Sequence, residues 1–483
     1  MPDMLALLGL GAWSPGPLGR WTLSVLHLIC ACGVTAHVLL RKRDVAAAVG
    51  WIGLAWLSPF LGALLYYMLG INRVRRQALR VRADVRASRG ALRDPGASGI
   101  TGHLAPLERA VARITLREIE RGNALTMLDN GDAAYPRMLE VIAGARASVG
   151  LSSYIFRDDA AGRPFIDALI AAQARGIAVR VLIDGIGGGY FRSAAYTRLR
   201  AAGVPAARFM HSALPWRMPF LNLRTHKKIL VVDGETGFTG GLNIGAENVI
   251  ASHPKDPVRD NHFLVRGPVV GQLAVAFAED WLFASGEQLD GPAWFPDTIP
   301  PAGQADARVI TSGPDQDLDK IELIVFQAIA SATRSVRIMT PYFLPDDRLI
   351  TALALASMRG VAVDVVIPEH GDHILVDWAV RPEVAPLLDA GVRVWLNPPP
   401  FQHSKLLAID GAWCVIGSAN WDMRSFRLNF ELTLEVYHDD LAAEVERAID
   451  RRMTRQLTQA DLDARALPVR LRDAAARLLL PYL

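Results

Sequence analysis

His226-Lys-Lys-Ile-Leu-Val-Val-Asp233, followed after six residues by Gly240-Gly-Leu-Asn243, has a counterpart later in the chain. It is His403-Ser-Lys-Leu-Leu-Ala-Ile-Asp410, followed after six residues by Gly417-Ser-Ala-Asn420. Both copies place one residue between His and Lys and four between Lys and Asp. Two patterns this long, in matching positions, indicate a duplicated unit. In a strand, residues i and i+2 share a face. His226 and Lys228 therefore point one way, as do His403 and Lys405. Ile229–Val232 and Leu406–Ile409 suit buried strands. The Gly-rich turn lets the backbone and Asn243 or Asn420 approach an anion.

The duplication extends outward. Ala-Arg-Gly-Ile-Ala-Val-Arg-Val-Leu-Ile (174–183) matches Met-Arg-Gly-Val-Ala-Val-Asp-Val-Val-Ile (358–367). Each follows an Ala/Leu-rich helical pattern, Phe165–Gln173 and Leu349–Ser357, and reads as helix, turn and buried strand. Upstream, Ile142-Ala-Gly-Ala145 resembles Ile329-Ala-Ser-Ala332, each leading into a strand that ends near Tyr154 or Tyr342. A spacing of about 185 residues is far beyond solenoid repeats and means two copies of one α/β domain.

Facing each other across a pseudo-two-fold, the halves would form one site with two His, two Lys and two Asn. Such a site suits a phosphodiester. Fixed lysines supply positive charge where the transition state spreads negative charge, and losing one such donor typically costs about 3–4 kcal/mol. One His attacks phosphorus, and the other protonates the leaving alkoxide, then deprotonates the incoming alcohol or water. Asp233 and Asp410 complete the candidate catalytic set, with bracing of the strand–turn as their expected part.

The paired motif resembles that of the phospholipase D superfamily. Within it, the chain is similar to bacterial cardiolipin synthases over nearly its full length. The likeness is carried by Gly417-Ser-Ala-Asn-Trp-Asp-Met-Arg-Ser-Phe-Arg-Leu-Asn-Phe-Glu431, Thr340-Pro-Tyr-Phe-Leu-Pro-Asp346, Ser312-Gly-Pro-Asp315 and Arg259-Asp260. Trp51–Gly70, with Pro59, Gly62 and Tyr66, resembles the family's membrane region. The resemblance implies two tandem phospholipase D-like α/β sandwich domains. It implies a phosphatidyl-histidine intermediate, no metal or other cofactor, and transfer to phosphatidylglycerol with release of glycerol. It assigns the nucleophile to His226 and acid/base work to His403, although the residues alone leave the near-equivalent halves interchangeable. It makes Asp260 and Glu431, each downstream of its own histidine, the carboxylates that orient the imidazoles. One departure is visible: Gly241 stands where the second motif has Ser418, so one hydroxyl donor is missing and the halves contribute unequally.

Three Cys and the lack of a Cys-x-x-Cys pair argue against a disulfide framework or a zinc site of that type. A net charge of +3 hides a split: residues 1–100 hold 12 Lys/Arg against 4 Asp/Glu, and the remainder is mildly acidic. That distribution argues against nucleic acid as partner. Trp21–Leu40 and Val45–Asn72 are uncharged runs of 20 and 28 residues, long enough to span a bilayer. A second apolar run, and no Lys or Arg before Arg20, argue against a cleaved signal peptide. The expected organisation has four parts. Residues 1–80 form an anchor with two transmembrane helices, about 21–40 and 46–70. Residues 81–107 form a basic linker. The two domains are 108–300 and 301–483. Arg20 and five Arg from Arg73 to Arg82 outweigh Arg41, Lys42 and Arg43, which places both domains on the cytoplasmic side of a bacterial inner membrane. The basic stretch Arg73–Arg93 would then lie on anionic lipid.

Some features have two readings. Leu214–Leu221 is either an acyl entry lip or a core loop, Val469–Leu483 either a bilayer-surface helix or a packed terminal one. Arg424 and Asn429 either bind a headgroup phosphate or brace the fold. His262 shares the strand parity of Asp260. Transfer to a lipid alcohol and hydrolysis to phosphatidic acid use the same residues and differ only in the acceptor. Phosphatidylglycerol is the expected donor, with phosphatidylethanolamine as the other candidate. A nuclease with the same motifs would lack reason for the membrane runs.

Overall fold

The apolar stretch after each motif histidine is a strand, Ile229–Val232 and Leu406–Ile409. Its residues alternate between two cores. Leu230 and Val232 pack on one side and Ile229 and Val231 on the other, as the two-residue period of a strand requires. The computed structural model describes residues 16–41, 45–58, 60–67, 99–211, 223–313 and 319–478. They fall into two units, residues 1–73 and 74–483.

In the first unit, Pro17–Arg41 is a helix of 25 residues, long and apolar enough to cross a bilayer core of about 30 Å. The second apolar run departs from the expected single span. Helix Val45–Leu57 has 13 residues, about 20 Å. Phe60 then takes a φ of 60°, and a five-residue helix, Leu61–Leu65, follows. A Cβ on Gly62 would stand 2.2 Å from the Leu54 carbonyl oxygen, so the chain turns back tightly on the helix it has left. Pro59 lies outside the described residues, but a proline here removes a donor and disfavours helix in the residue before it. Among the described residues, one helix rather than two is long and apolar enough to cross a membrane. His37 Nδ1 and the Tyr66 hydroxyl are 2.6 Å apart, and Trp56 donates to Thr35 at 3.0 Å. The basic turn 42–44, the stretch 73–93 and Leu214–Leu221 lie outside the described residues.

In the second unit the strands of the first half are β1 (Glu120–Asp129), β2 (Ser148–Ser153), β3 (Ala178–Asp184), β4 (Ala206–Phe209), β5 (Ile229–Val232), β6 (Thr236–Gly240) and β7 (Asn261–Arg266). Those of the second half are β8 (Ala305–Ser312), β9 (Ser335–Met339), β10 (Ala362–Pro368), β11 (Arg393–Asn397), β12 (Leu406–Ile409), β13 (Trp413–Gly417) and β14 (Asn429–Tyr437). They share one sheet in the order β4-β3-β2-β5-β6-β7-β1-β8-β14-β13-β12-β9-β10-β11, with Arg455–Leu457 as a further edge strand on β11 and Arg224–Thr225 paired to β14. Adding seven to each number of the first half gives the second half in mirror order about the β1–β8 pair. That is the topology of a duplicated domain joined through its first strands. The repeats at 174–183 and 358–367 are the helix-to-strand turns into β3 and β10, as expected.

Helices cover both faces. Asn130–Ala143, Gly162–Ala174 and Ala194–Ala201 pack on the first half. Lys320–Ser331, Asp347–Met358 and Ile374–Asp389 pack on the second. A core between them joins helices Val269–Ser285 and Asp439–Asp450 with strands of both halves. Helix Ala105–Thr115 begins inside the expected linker, and its Leu107 and Val111 enter the core of the second half. Arg308, fully buried, holds that helix through Glu108 at 2.9 Å and forms an ion pair with Glu435 at 2.7 Å.

Candidate active site

Strand parity sets the first layer. His226 and Lys228 turn to one side, and Lys227 between them turns away to a buried ion pair with Asp280 at 2.8 Å. In the second copy Ser404 likewise faces away and donates to the Asn261 side chain at 2.7 Å. The two motif imidazoles then meet, with ring centroids 6.4 Å apart and planes at 86°. Both line one cavity of about 390 Å³, with Asn243 and Asn420. Its wall also carries Tyr154, Arg224, Tyr342, Asp372, Asp422 and Arg424.

The carboxylates are exchanged between halves. His226 Nδ1 lies 3.1 Å from Glu431 and 2.9 Å from the Ser418 carbonyl. His403 Nδ1 lies 2.7 Å from Asp260. Each imidazole thus meets the carboxylate that follows the other motif, not its own, which corrects the pairing expected from sequence distance. Two short parallel pairings explain it. Arg224–Thr225 pairs with Asn429–Phe430, and Phe401–Gln402 pairs with Val258–Arg259. The His226 N–H donates to the Phe430 carbonyl at 2.8 Å, and that of His403 to Arg259 at 2.7 Å. The chain entering each motif is therefore seated beside the opposite carboxylate strand.

Because the Ser418 carbonyl only accepts, the proton of His226 sits on Nδ1, leaving a lone pair on Nε2. The two carboxylates differ. Burial pushes Glu431 up to about 7 against the pull of Lys228, and its oxygens accept from Ser418 at 2.5 Å and Asn429 at 3.1 Å. Burial also acts on Asp260, but the charge of Lys405 and the bond to His403 outweigh it and hold this carboxyl below its usual range. Asp260 is one methylene shorter, and its carboxylate fills the place where a side chain on residue 241 would begin. A Cβ on Gly241 would meet Asp260 Oδ1 at 2.4 Å. The missing serine of the first motif is the space Asp260 occupies.

Lys228 donates to the His226 carbonyl at 2.6 Å, and its ammonium lies 5.4 Å from the centre of the Tyr154 ring. Lys405 donates to the His403 carbonyl and approaches His403 Nδ1 at 3.0 Å. Burial and then the charge of Lys405 lower Lys228 well below the ordinary ammonium range. Burial brings Lys405 down to about 8. Burial, then the lysine charges, lowers both imidazoles, His226 most. A negative phosphate would offset those charges and raise both again.

Asp233 and Asp410 stand apart from the cavity wall. Asp233 accepts the N–H groups of Arg146, Ala147 and Ser148 at 2.7 to 3.1 Å. Asp410 accepts those of Thr333, Arg334 and Ser335 at 2.7 to 2.9 Å, and bonds His103 at 2.9 Å. Both take φ of 56°, which Asp tolerates. They tie the motif turn to the start of β2 or β9. Asn243 accepts from the Ile155 N–H at 3.2 Å, while the side-chain oxygen of Asn420 is buried without a partner among the described residues. His262 is buried and pushed down to about 4 by burial, away from the cavity wall. Arg224, Asp372 and Asp422 were missed in the sequence. Arg224 carried a signal, since it lies two residues before His226 on the same strand face. Asp372 sits in a loop with no such period.

The doubled fold and paired half-sites define a phospholipase D-like protein. A family model described as "Cardiolipin synthase, PLD-like domain" matches residues 138–281 and 325–453, one stretch in each half. A cardiolipin synthase of Geobacillus kaustophilus (strain HTA426) is 32% identical over 489 residues, covering 99% of this chain and 97% of that one. The major cardiolipin synthase ClsA of Bacillus subtilis (strain 168) is 31% identical, covering 95% and 98%. A phosphatidylserine synthase of Haemophilus influenzae Rd KW20 shares the fold at a TM-score of 0.59 and 14% identity, over 79% of this chain and all of that one. The chain belongs to the cardiolipin synthase family of phospholipase D-like proteins, and it is an enzyme of the phosphatidyltransferase kind.

Proposed function

We propose that the site moves a phosphatidyl group from one phosphatidylglycerol to another, giving cardiolipin and glycerol. The observation that carries this is the pair of imidazoles on one cavity, each held at Nδ1 by a carboxylate from the opposite half. In the first step His226 Nε2 attacks phosphorus and the bond to the donor's glycerol oxygen breaks. His403, protonated, gives its proton to that oxygen and glycerol leaves. In the second step His403 takes the proton from a primary hydroxyl of the acceptor lipid. The resulting alkoxide attacks phosphorus, and the phosphorus–nitrogen bond breaks to restore His226. Lys228 and Lys405, with Asn243 and Asn420, stabilise the charge that develops on the phosphoryl oxygens.

The difference between the carboxylates supports this division of roles. Asp260, kept ionised, favours a proton on His403, as an acid needs. Glu431 shares its negative charge with two donors and balances near neutrality, so His226 stays an uncharged nucleophile. The helix Pro17–Arg41 would anchor the enzyme in the bacterial inner membrane, with residues 108–300 and 301–483 as its cytoplasmic halves beside the lipid substrate.

The test is a lipid-product assay. Purified protein in detergent with phosphatidylglycerol, and no added metal, should yield cardiolipin and glycerol in equal amounts. Phosphatidic acid as the sole product would mean hydrolysis instead. A parallel reaction containing phosphatidylethanolamine shows whether it also serves as donor.

A further inference from the structure

Besides the motif lysines, two guanidinium groups stand at the site, with Asp372 and Asp422 on the same cavity wall. In the transfer proposed above, Lys228 and Lys405 serve the phosphate between the imidazoles. Arg224 and Arg424 line the same cavity. Arg224 lies on the strand Arg224–Thr225, in register with Asn429. Arg424 lies on the helix Met423–Arg427, which Asp422 caps by accepting the Ser425 N–H at 2.6 Å. Arg224 donates from Nη1 to the Tyr154 hydroxyl at 2.9 Å. Its Nε is buried with no hydrogen-bond partner among the described residues, and so is the side-chain oxygen of Asn429 beside it. The guanidinium groups feel one another: burial, then the charge of Arg224, lowers Arg424. The charges of Asp422 and Asp184 offset part of that repulsion, and an anionic ligand would offset more of it, while the buried Arg224 Nε and Asn429 oxygen leave it a donor and an acceptor.

Transfer between two phosphatidylglycerols brings two phosphates into one site. One is attacked; the other stays on the acceptor and becomes the second phosphate of the product. We propose that Arg224 and Arg424 hold the acceptor's phosphate, one glycerol unit from the phosphorus under attack, with Asn429 accepting a glycerol hydroxyl. The pair would then select an anionic lipid alcohol over a neutral alcohol or water. This rests on the transfer reading above.

The test is a competition within one reaction. The full chain in detergent receives phosphatidylglycerol labelled in its phosphatidyl part, together with 1-butanol. Cardiolipin and phosphatidylbutanol then drain the same intermediate, so their ratio reports the acceptor step alone. Loss of a charge-assisted hydrogen bond costs about 1.5–3 kcal/mol, roughly a 10- to 100-fold change. Arg224→Gln and Arg424→Gln should each lower the cardiolipin-to-phosphatidylbutanol ratio about tenfold or more, and Arg424→Lys should restore part of it. An unchanged ratio, with both products falling together, would overturn the inference. Wild-type protein that makes phosphatidylbutanol but no cardiolipin would overturn the transfer reading, and this inference with it.

Discussion

At the scale of single residues, the two half-sites are alike in their histidines and lysines and unlike in what stands behind them. His403 leans on an ionised Asp260, His226 on a Glu431 balanced near neutrality. Asp260→Asn should therefore cost kcat about 100-fold or more, the range of a lost acid/base, and more than Glu431→Gln. Rates of cardiolipin formation at saturating lipid check this, and equal losses would contradict the assigned asymmetry. Glu431 also predicts a pH dependence of stability. Its folded pKa of about 7 lies above the unfolded value. The folded chain thus binds the extra proton between about pH 4.5 and 7, and this group's contribution falls as pH rises through that window. Glu431→Gln should remove that slope, with an effect on the order of 3 kcal/mol at most. The gap in Tm between variant and wild type should shift in the variant's favour from pH 5 to 7.5, and a constant gap would count against it. The motif residues were legible in the sequence because strand parity aligns His and Lys. The exchange of carboxylates was not, since it depends on short strands pairing across the two halves, far apart in the chain.

Among the elements, the duplicated sheet explains why one motif has glycine and the other serine. Asp260, just before β7, and Glu431, on β14, bring carboxylates of different length to equivalent places, and the shorter one fills the position of the absent side chain at Gly241. Gly241→Ser should displace Asp260 from His403 and lower kcat about tenfold or more, while Ser418→Gly, which removes the hydroxyl that donates to Glu431 but crowds no carboxylate, should be milder. The helix–turn–strand repeats were readable from apolar periodicity and the Arg-Gly turn. Helix Ala105–Thr115 was not placed by sequence, because its partners on the second half lie some 200 residues away, as with Glu108 and Arg308.

For the whole molecule, length and hydropathy marked two apolar runs, of which the first forms one helix, Pro17–Arg41, long and apolar enough to cross a membrane, and the second holds a helix of 13 residues. Among the described residues, a positive φ at Phe60 divides the second uncharged stretch into two shorter helices. The anchoring role of the first helix predicts that Leu28→Arg, with a charge near its middle, costs about 2.5–3.5 kcal/mol of insertion. More of that variant should appear in the soluble fraction after cell lysis and carbonate washing than of wild type, and an unchanged partition would argue against a spanning helix. Covalent transfer is the central claim, and trapping the intermediate tests it most directly. Protein mixed with phosphatidyl-labelled phosphatidylglycerol, quenched within a turnover and digested, should carry label on the peptide containing His226. His226→Ala should carry none. Label on the His403 peptide, or cardiolipin formed with no labelled protein at any time, would contradict the account.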